Sequence, residues 1–261
     1  MRQNLITAIE RIKHETAYKE NIEGILSTLE ALINKKSEAP EGFVDESKKI
    51  WETIIEFNNS KESLIELLPG ARKLENLAQL SHNFLEKYRD FLSDEDCRLL
   101  KEIYLINYTQ SQLRLGLYFL YDIDKHETYM DYLLNISSGI DLIVKGVTNY
   151  PSNIDLQNHE ELKALGYDVL QLSEEIKKQI NQNEVQIEQT LKEDYEKIRH
   201  YIYVSAVTLI WLVEQFEKTV ETKKEKNRPT IKNILKFLET SEGGWAGDDL
   251  EECLEFVNEI R

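Results

Sequence analysis

Apolar residues recur three and four apart along most of this chain, and no sustained period-two alternation or Asn-Gly or Asp-Gly hairpin turn interrupts them. That pattern predicts helices and gives strands no support. Residues 2–36 carry Leu5, Ile9 and Ile12, then Ile22, Ile25, Leu26, Leu29 and Leu32, the spacing of one bent helix or two in succession. A polar loop around KSEAPEG follows. DESKKIWETIIEFNN then opens with a capping pattern, and SKESLIELL reads as a helix that stops at Pro69-Gly70. Residues 72–91 are helical again. SDEDCRLLKEIYL restarts the chain with a serine cap and early acids suited to a helix N-terminus.

From Cys97 to about Tyr121 the helical pattern hardly breaks, and Tyr104, Tyr108, Tyr118, Phe119 and Tyr121 make it aromatic. This is expected to be the central helix. KHETYMDYLLNISSGIDLIVKGV predicts another, ending near TNYPSN. Leu165 and Leu170 lead into a polar stretch in which Leu172, Ile176 and Ile180 recur four apart, with Leu191, Tyr195 and Ile198 later. Such a stretch reads as a long antiparallel helical hairpin or a coiled-coil arm, with Asn181–Asn183 as the favoured turn, although nothing there forbids a continuous helix. YIYVSAVTLIWLV, Tyr201 to Val213, is apolar but shorter than the roughly 20 residues a spanning helix needs, and reads as a buried core helix. The four prolines all fall between such segments. The fold class expected is therefore all-α, a multi-helix bundle. Three parts are expected: a helical domain over 1–220, a charged linker over 221–228, and a helical arm over 229–261.

Composition narrows the chemistry. At 261 residues and 41% hydrophobic content the chain can bury a core without staples. The 48 acidic against 32 basic residues give a net charge of −16, which repels phosphate backbones and anionic lipid, so neither nucleic acid nor membrane is an expected partner. Cys97 and Cys253 are far apart and show no metal-ligand spacing, so a reducing cytoplasm is the expected location. The start MRQNLITAIERIK has no apolar core of a signal peptide. Phosphate-loop, dinucleotide and zincin motifs are absent. None of His14, His82, His126, His159 or His200 has a glutamate three residues before it, as a di-metal bundle would need. No metal or cofactor is expected. His126 lies among Asp122, Asp124 and Glu127, which reads as a solvated helix start, and the tyrosines over 104–132 read as packing.

The end of the chain differs. Pro229 suits a first helical turn, Ile231, Ile234, Leu235 and Leu238 then recur at helical spacing, and Gly243-Gly244 stops the segment. Asp248 with Glu251 and Asp249 with Glu252 cap a second short helix, whose Leu250, Cys253, Leu254, Val257 and Ile260 form one stripe with Phe256 at its margin. A helix of about a dozen residues is marginal alone and needs a surface to cover that stripe. By periodicity, that surface is either this chain's own bundle or the groove of a partner.

TIKNILKFLETSEGGWAGDDLEECLEFVNEIR resembles the C-terminal half of a family of short bacterial antitoxins, whose tails run helix, Gly-x-Trp, small residue, Gly-Asp-Asp-Leu-Glu-Glu-Cys-Leu and then arginine. The resemblance covers about residues 229–261 and is most specific from Gly244 to Leu254. It implies a tail that wraps a PIN-domain ribonuclease. Trp245, Leu250, Leu254, Phe256 and Val257 would be the groove contacts, Arg261 the cation presented to the partner's metal-binding carboxylates, and Cys253 a packing residue. The family's small DNA-binding domain has no counterpart in residues 1–220, so no DNA-binding role is implied. The function expected is thus a non-enzymatic, antitoxin-like interaction module that inhibits a nuclease, with a homodimer compatible with the helical domain. Two other functions fit the same residues: a helical scaffold or adaptor with its tail docked at home, and a ligand-binding or catalytic bundle using the tyrosine-rich centre.

Overall fold

The computed structural model describes residues 26–27, 29–34, 39–59, 67–121, 128–150, 159–181 and 191–222, and these form an all-α multi-helix bundle. Beyond a helical stretch over 29–34, six helices follow: α1 (Phe43–Asn59), α2 (Leu67–Tyr88), α3 (Asp94–Tyr121), α4 (Tyr129–Thr148), α5 (His159–Asn181) and α6 (Lys192–Thr222). α1 packs on α2, α2 on α3 and α3 on α4, while α6 packs on both α4 and α5.

Local sequence explains most helix starts. Gly42 takes φ +82°, a left-handed conformation costly for other residues, and the turn it makes lets Phe43 N–H donate to the Pro40 carbonyl. α1 therefore begins at Phe43, two residues before the Asp45 expected to open it, and the acids fall in its first turn. Pro69-Gly70 does not stop a helix. Pro69 lies in the first turn of α2, where its missing N–H would have had no intrahelical partner in any case. Ser93 does cap α3: Asp96 N–H donates to its Oγ while its own N–H donates back to Asp96 Oδ2, a reciprocal box. Thr128 caps α4 through its side chain, Oγ1 accepting from Asp131 N–H at 3.1 Å, so α4 starts at Tyr129 rather than near Lys125.

Two hydrophobic clusters share α3. The N-terminal one gathers Leu29, Leu32, Phe43, Ile50, Ile54, Leu77, Phe84 and Tyr88 around Leu100 and Ile103. Phe43 is its centre, with the rings of Phe84, Tyr88 and Phe91 all about 5 Å away. The C-terminal cluster packs Leu113, Leu117 and Leu120 against α4, α5 and α6 through Ile136, Ile140, Leu165, Val169, Ile202 and Leu209. A helix of 28 residues is about 42 Å long at 1.5 Å per residue, long enough to serve both clusters end to end. The central position expected for this helix is thereby borne out, as is Tyr201–Val213 as a core segment, where Ile202, Ala206, Leu209 and Val213 are buried.

α3 and α4 cross in antiparallel contact at a pair of glycines. A Cβ built on Gly116 would stand 2.6 Å from the Gly139 carbonyl oxygen, and one on Gly139 would stand 2.9 Å from the Gly116 carbonyl oxygen. Only a residue without a side chain permits this approach. α5 and α6 run antiparallel, with Lys163 near the start of one paired to Glu214 and Glu217 near the end of the other. The antiparallel pair expected from the sequence is present, and the rest of the expected turn, within residues 182–190, lies outside the described residues. α6 reaches Thr222, two residues into the stretch read as a charged linker.

Candidate functional site

The residues expected to bind a partner, Trp245, Leu250, Leu254, Phe256, Val257 and Arg261, lie outside the described residues, as do His126 and Cys253. Among the described residues, the tyrosine-rich centre gathers the remaining candidate side chains.

Those tyrosines sit mostly at the margin between core and surface. Tyr104, Tyr108, Tyr118, Tyr129 and Tyr132 are half-buried and Tyr121 is exposed. Tyr129 opens α4 and packs its ring 5.6 Å from both Tyr132 and Tyr195, while its hydroxyl donates to Gln179 Oε1 at 2.9 Å. One side chain thus ties α4 to α5 and α6. Burial pushes the Tyr129 phenol up to about 12, with the neighbouring phenols of Tyr132 and Tyr195 adding to the shift. Tyr108 and Tyr203 are also raised, burial again being the main cause. A phenol held above its ordinary pKa is a neutral hydrogen-bond donor near pH 7, not a base.

The polar contacts around this centre fasten helices together. Tyr201 Oη donates to Asp141 Oδ1, and Lys145 pairs with the other carboxylate oxygen of Asp141 at 2.7 Å, joining α6 to α4. The Lys163 ammonium is held above its ordinary pKa, first by its hydrogen bond to Glu217 and also by the nearby Glu214 charge, against the opposing effect of burial. At the other end of the molecule, Lys87 and Tyr88 of α2 meet Glu46 of α1. His82 packs against Tyr104 at 5.0 Å with the ring planes tilted by 34°, and His200 stacks on Tyr203 at 6.4 Å. Among the described residues there is no group of three or more His, Cys, Asp or Glu side chains able to hold a metal ion. No described helix is long and apolar enough to cross a membrane.

One feature escaped the sequence pattern. The middle of α3 reads NYTQSQLR, an ordinary polar stretch, yet Asn107, Thr109, Gln110, Ser111, Gln112 and Arg114 are all buried. Several settle their polarity locally: Asn107 Nδ2 donates to the Ile103 carbonyl and Thr109 Oγ1 to that of Ile106. The Arg114 guanidinium lies 5.9 Å from the Phe57 ring centroid, bringing the end of α1 onto α3. Ser111 Oγ has no hydrogen-bond partner among the described residues. The signal that could have found this belt is that polar side chains fall all round the helix here, leaving no polar face to turn to water.

Comparison with family models, with curated proteins and with solved structures finds no significant match to this chain.

Proposed function

We propose that this chain is a non-enzymatic interaction protein, antitoxin-like, that binds and inhibits a partner nuclease through the amphipathic arm at residues 229–261. What carries the reading is the run GWAGDDLEECL from Gly244 to Leu254, in which an aromatic anchor, a glycine stop and a doubly capped short helix stand together. A helix this short acquires stability by burying its stripe, so recognition would couple binding to ordering, which lowers net affinity and makes release easy to control. Trp245 is the anchor, Leu250, Leu254, Phe256 and Val257 fill the groove, and Arg261 pairs with the carboxylates that hold a ribonuclease's metal ion. The partner expected is a PIN-domain ribonuclease, and the setting cytoplasmic. The helical bundle presents the arm and contributes no chemistry to the inhibition.

Hydrogen exchange on the isolated chain tests this directly. Amides of residues 229–261 exchanging much faster than those of 201–216 are the expected result. Trp245→Ala should then weaken capture of a PIN-domain ribonuclease by tenfold or more without changing the fold of the bundle. Protection of the tail equal to that of 201–216 would refute a free arm and establish instead a scaffold whose last helices dock on its own bundle.

A further inference from the structure

The sides of α6 are assigned by its contacts. Lys163 meets Glu214 and Glu217, and Gly166 lies against Ile210, so these residues of α6 face α5. Tyr201 bonds Asp141, and Phe216 packs edge-on against Tyr150 just beyond the end of α4, so these face α4. On a helix of 3.6 residues per turn, two such sides leave two gaps. One gap carries Ile202, Ala206, Leu209 and Val213 into the C-terminal cluster. The other carries Val204, Val207 and Trp211, spaced as i, i+3 and i+7 along the outer side. An outer side ought to be wet, yet Val207 and Trp211 are each only 5% exposed. The indole is wide enough to touch the C-terminal cluster with one edge. α4 and α5 hold the other two sides of α6, so neither lies over Val207 and the rest of that ring.

We infer that this outer stripe of α6 is a docking site for the chain's own segment 229–240, returning antiparallel along the helix. Length and place favour that occupant. α6 ends at Thr222, and residues 223–228 suffice to reverse direction, since connections between packed helices run to about 2–8 residues. From Val207 to Thr222 is about 22 Å of helix, and twelve helical residues span about 18 Å, so a returning helix reaches back about as far as Val207. The segment brings a matching apolar face in Ile231, Ile234, Leu235 and Leu238. So short a connection holds the two faces together at high effective concentration. A single helix of a dozen residues still opens far more often than a core helix, so its amides exchange much faster than those of 201–216. Docking leaves Trp245 to Arg261, beyond Gly243-Gly244, free to move from a fixed point on the bundle. The partner-binding role of that free part rests on the function proposed above; the docking does not.

Aspartate at Ile234 and Leu235 together tests the contact in the full-length chain without altering the bundle. With Trp51→Phe and Trp245→Phe as background, Trp211 is the only indole. Acrylamide quenching of Trp211 should rise by about twofold or more when Ile234→Asp and Leu235→Asp remove its cover, whereas Leu250→Asp, in the second helix, should leave it unchanged. Hydrogen exchange on the unsubstituted chain reads the same contact: amides of 232–240 should exchange about tenfold or more slower than those of 251–260. Unchanged quenching after the double substitution, or equal exchange along the whole arm, would overturn the inference. So would a rise produced by Leu250→Asp instead, which would assign the cover to the second helix. Neither readout involves a nuclease, so failure of the docking and failure of nuclease capture are told apart. Should the tryptophan background fail to fold, exchange on the unsubstituted chain decides.

Discussion

Replacing Gly116 by alanine puts one methyl group between α3 and α4. Contacts under 3.0 Å are essentially never seen for a real Cβ, yet this one would meet the Gly139 carbonyl oxygen and Ile143 Cγ1 at 2.6 Å. The isoleucine can rotate away. The carbonyl is helix backbone, so the helices themselves must part by at least 0.4 Å at the crossing. That displacement loosens Leu113, Leu117 and Leu120 against Ile136, Ile140 and Ile143, all fully buried, and a gap of about half an ångström already forfeits about a quarter of each contact's dispersion energy. Overpacking of this kind costs about 1–3 kcal/mol. Against it stands the helix preference of alanine over glycine, about 1 kcal/mol. Backbone confronts backbone here, so the cost should fall at the upper end of its range and Gly116→Ala should lose about 1–2 kcal/mol, a fall of about 2–4 °C in Tm per kcal/mol for a chain of this size. Urea unfolding followed by circular dichroism reads it. Gly146→Ala is the control, because its Cβ would meet the flexible Leu113 side chain and the Thr109 carbonyl at 3.1 Å, and it should stay within about 1 kcal/mol of wild type. Gly116→Ala combined with Gly139→Ala should cost less than the sum of the two, since one separation of the helices relieves both. A Gly116→Ala protein as stable as wild type would refute the reasoning.

Three further outcomes follow from the same structure. Tyr129 is neutral and hydrogen-bonded when folded, with its pKa raised from 10.0 to about 12. Its contribution is therefore complete below pH 10 and is lost as pH rises through the interval to 12, and Tyr129→Phe should show a shallower loss of stability between those values in urea titrations at stepped pH. Thr128→Ala removes the cap of α4 and should cost about 1 kcal/mol, read as a lower urea midpoint at unchanged slope. Ser111→Ala deletes a buried hydroxyl with no hydrogen-bond partner among the described residues, and should be neutral or stabilising by up to about 1 kcal/mol in thermal unfolding.

Helix identity was legible because burial follows a period of 3.6, and the cap at Ser93 is chemistry that a sequence displays directly, whereas the cap at Thr128 lay inside a stretch read as helix from Lys125. Pro69 misled for a physical reason: proline ends a helix from inside but is welcome in its first turn, and the two cases differ by where the preceding helix stops, which periodicity fixes poorly. The belt of α3 was missed because polar residues are normally assigned to water, although polar side chains all round one helix already hint that Asn107 to Arg114 have little water to face. The glycine crossing was equally hidden: Gly116 and Gly139 sit in different helices, and nothing in either segment announces the other. The partner-binding residues were read from a local pattern in a stretch that lies outside the described residues.

The packing of α6 on both α4 and α5 carries a consequence for synthesis. A chain leaving the ribosome makes α1 through α4 in the order in which they pack, so each new helix meets a neighbour already formed. α5 is the exception, because its principal neighbour α6 is made after it. Until translation has passed the apolar stretch ending at Val213, Leu162, Leu165 and Val169 lack the surface that buries them in the finished protein. Within the described bundle, the nascent chain is thus most exposed to chaperones and to aggregation during the passage from His159 to Val213.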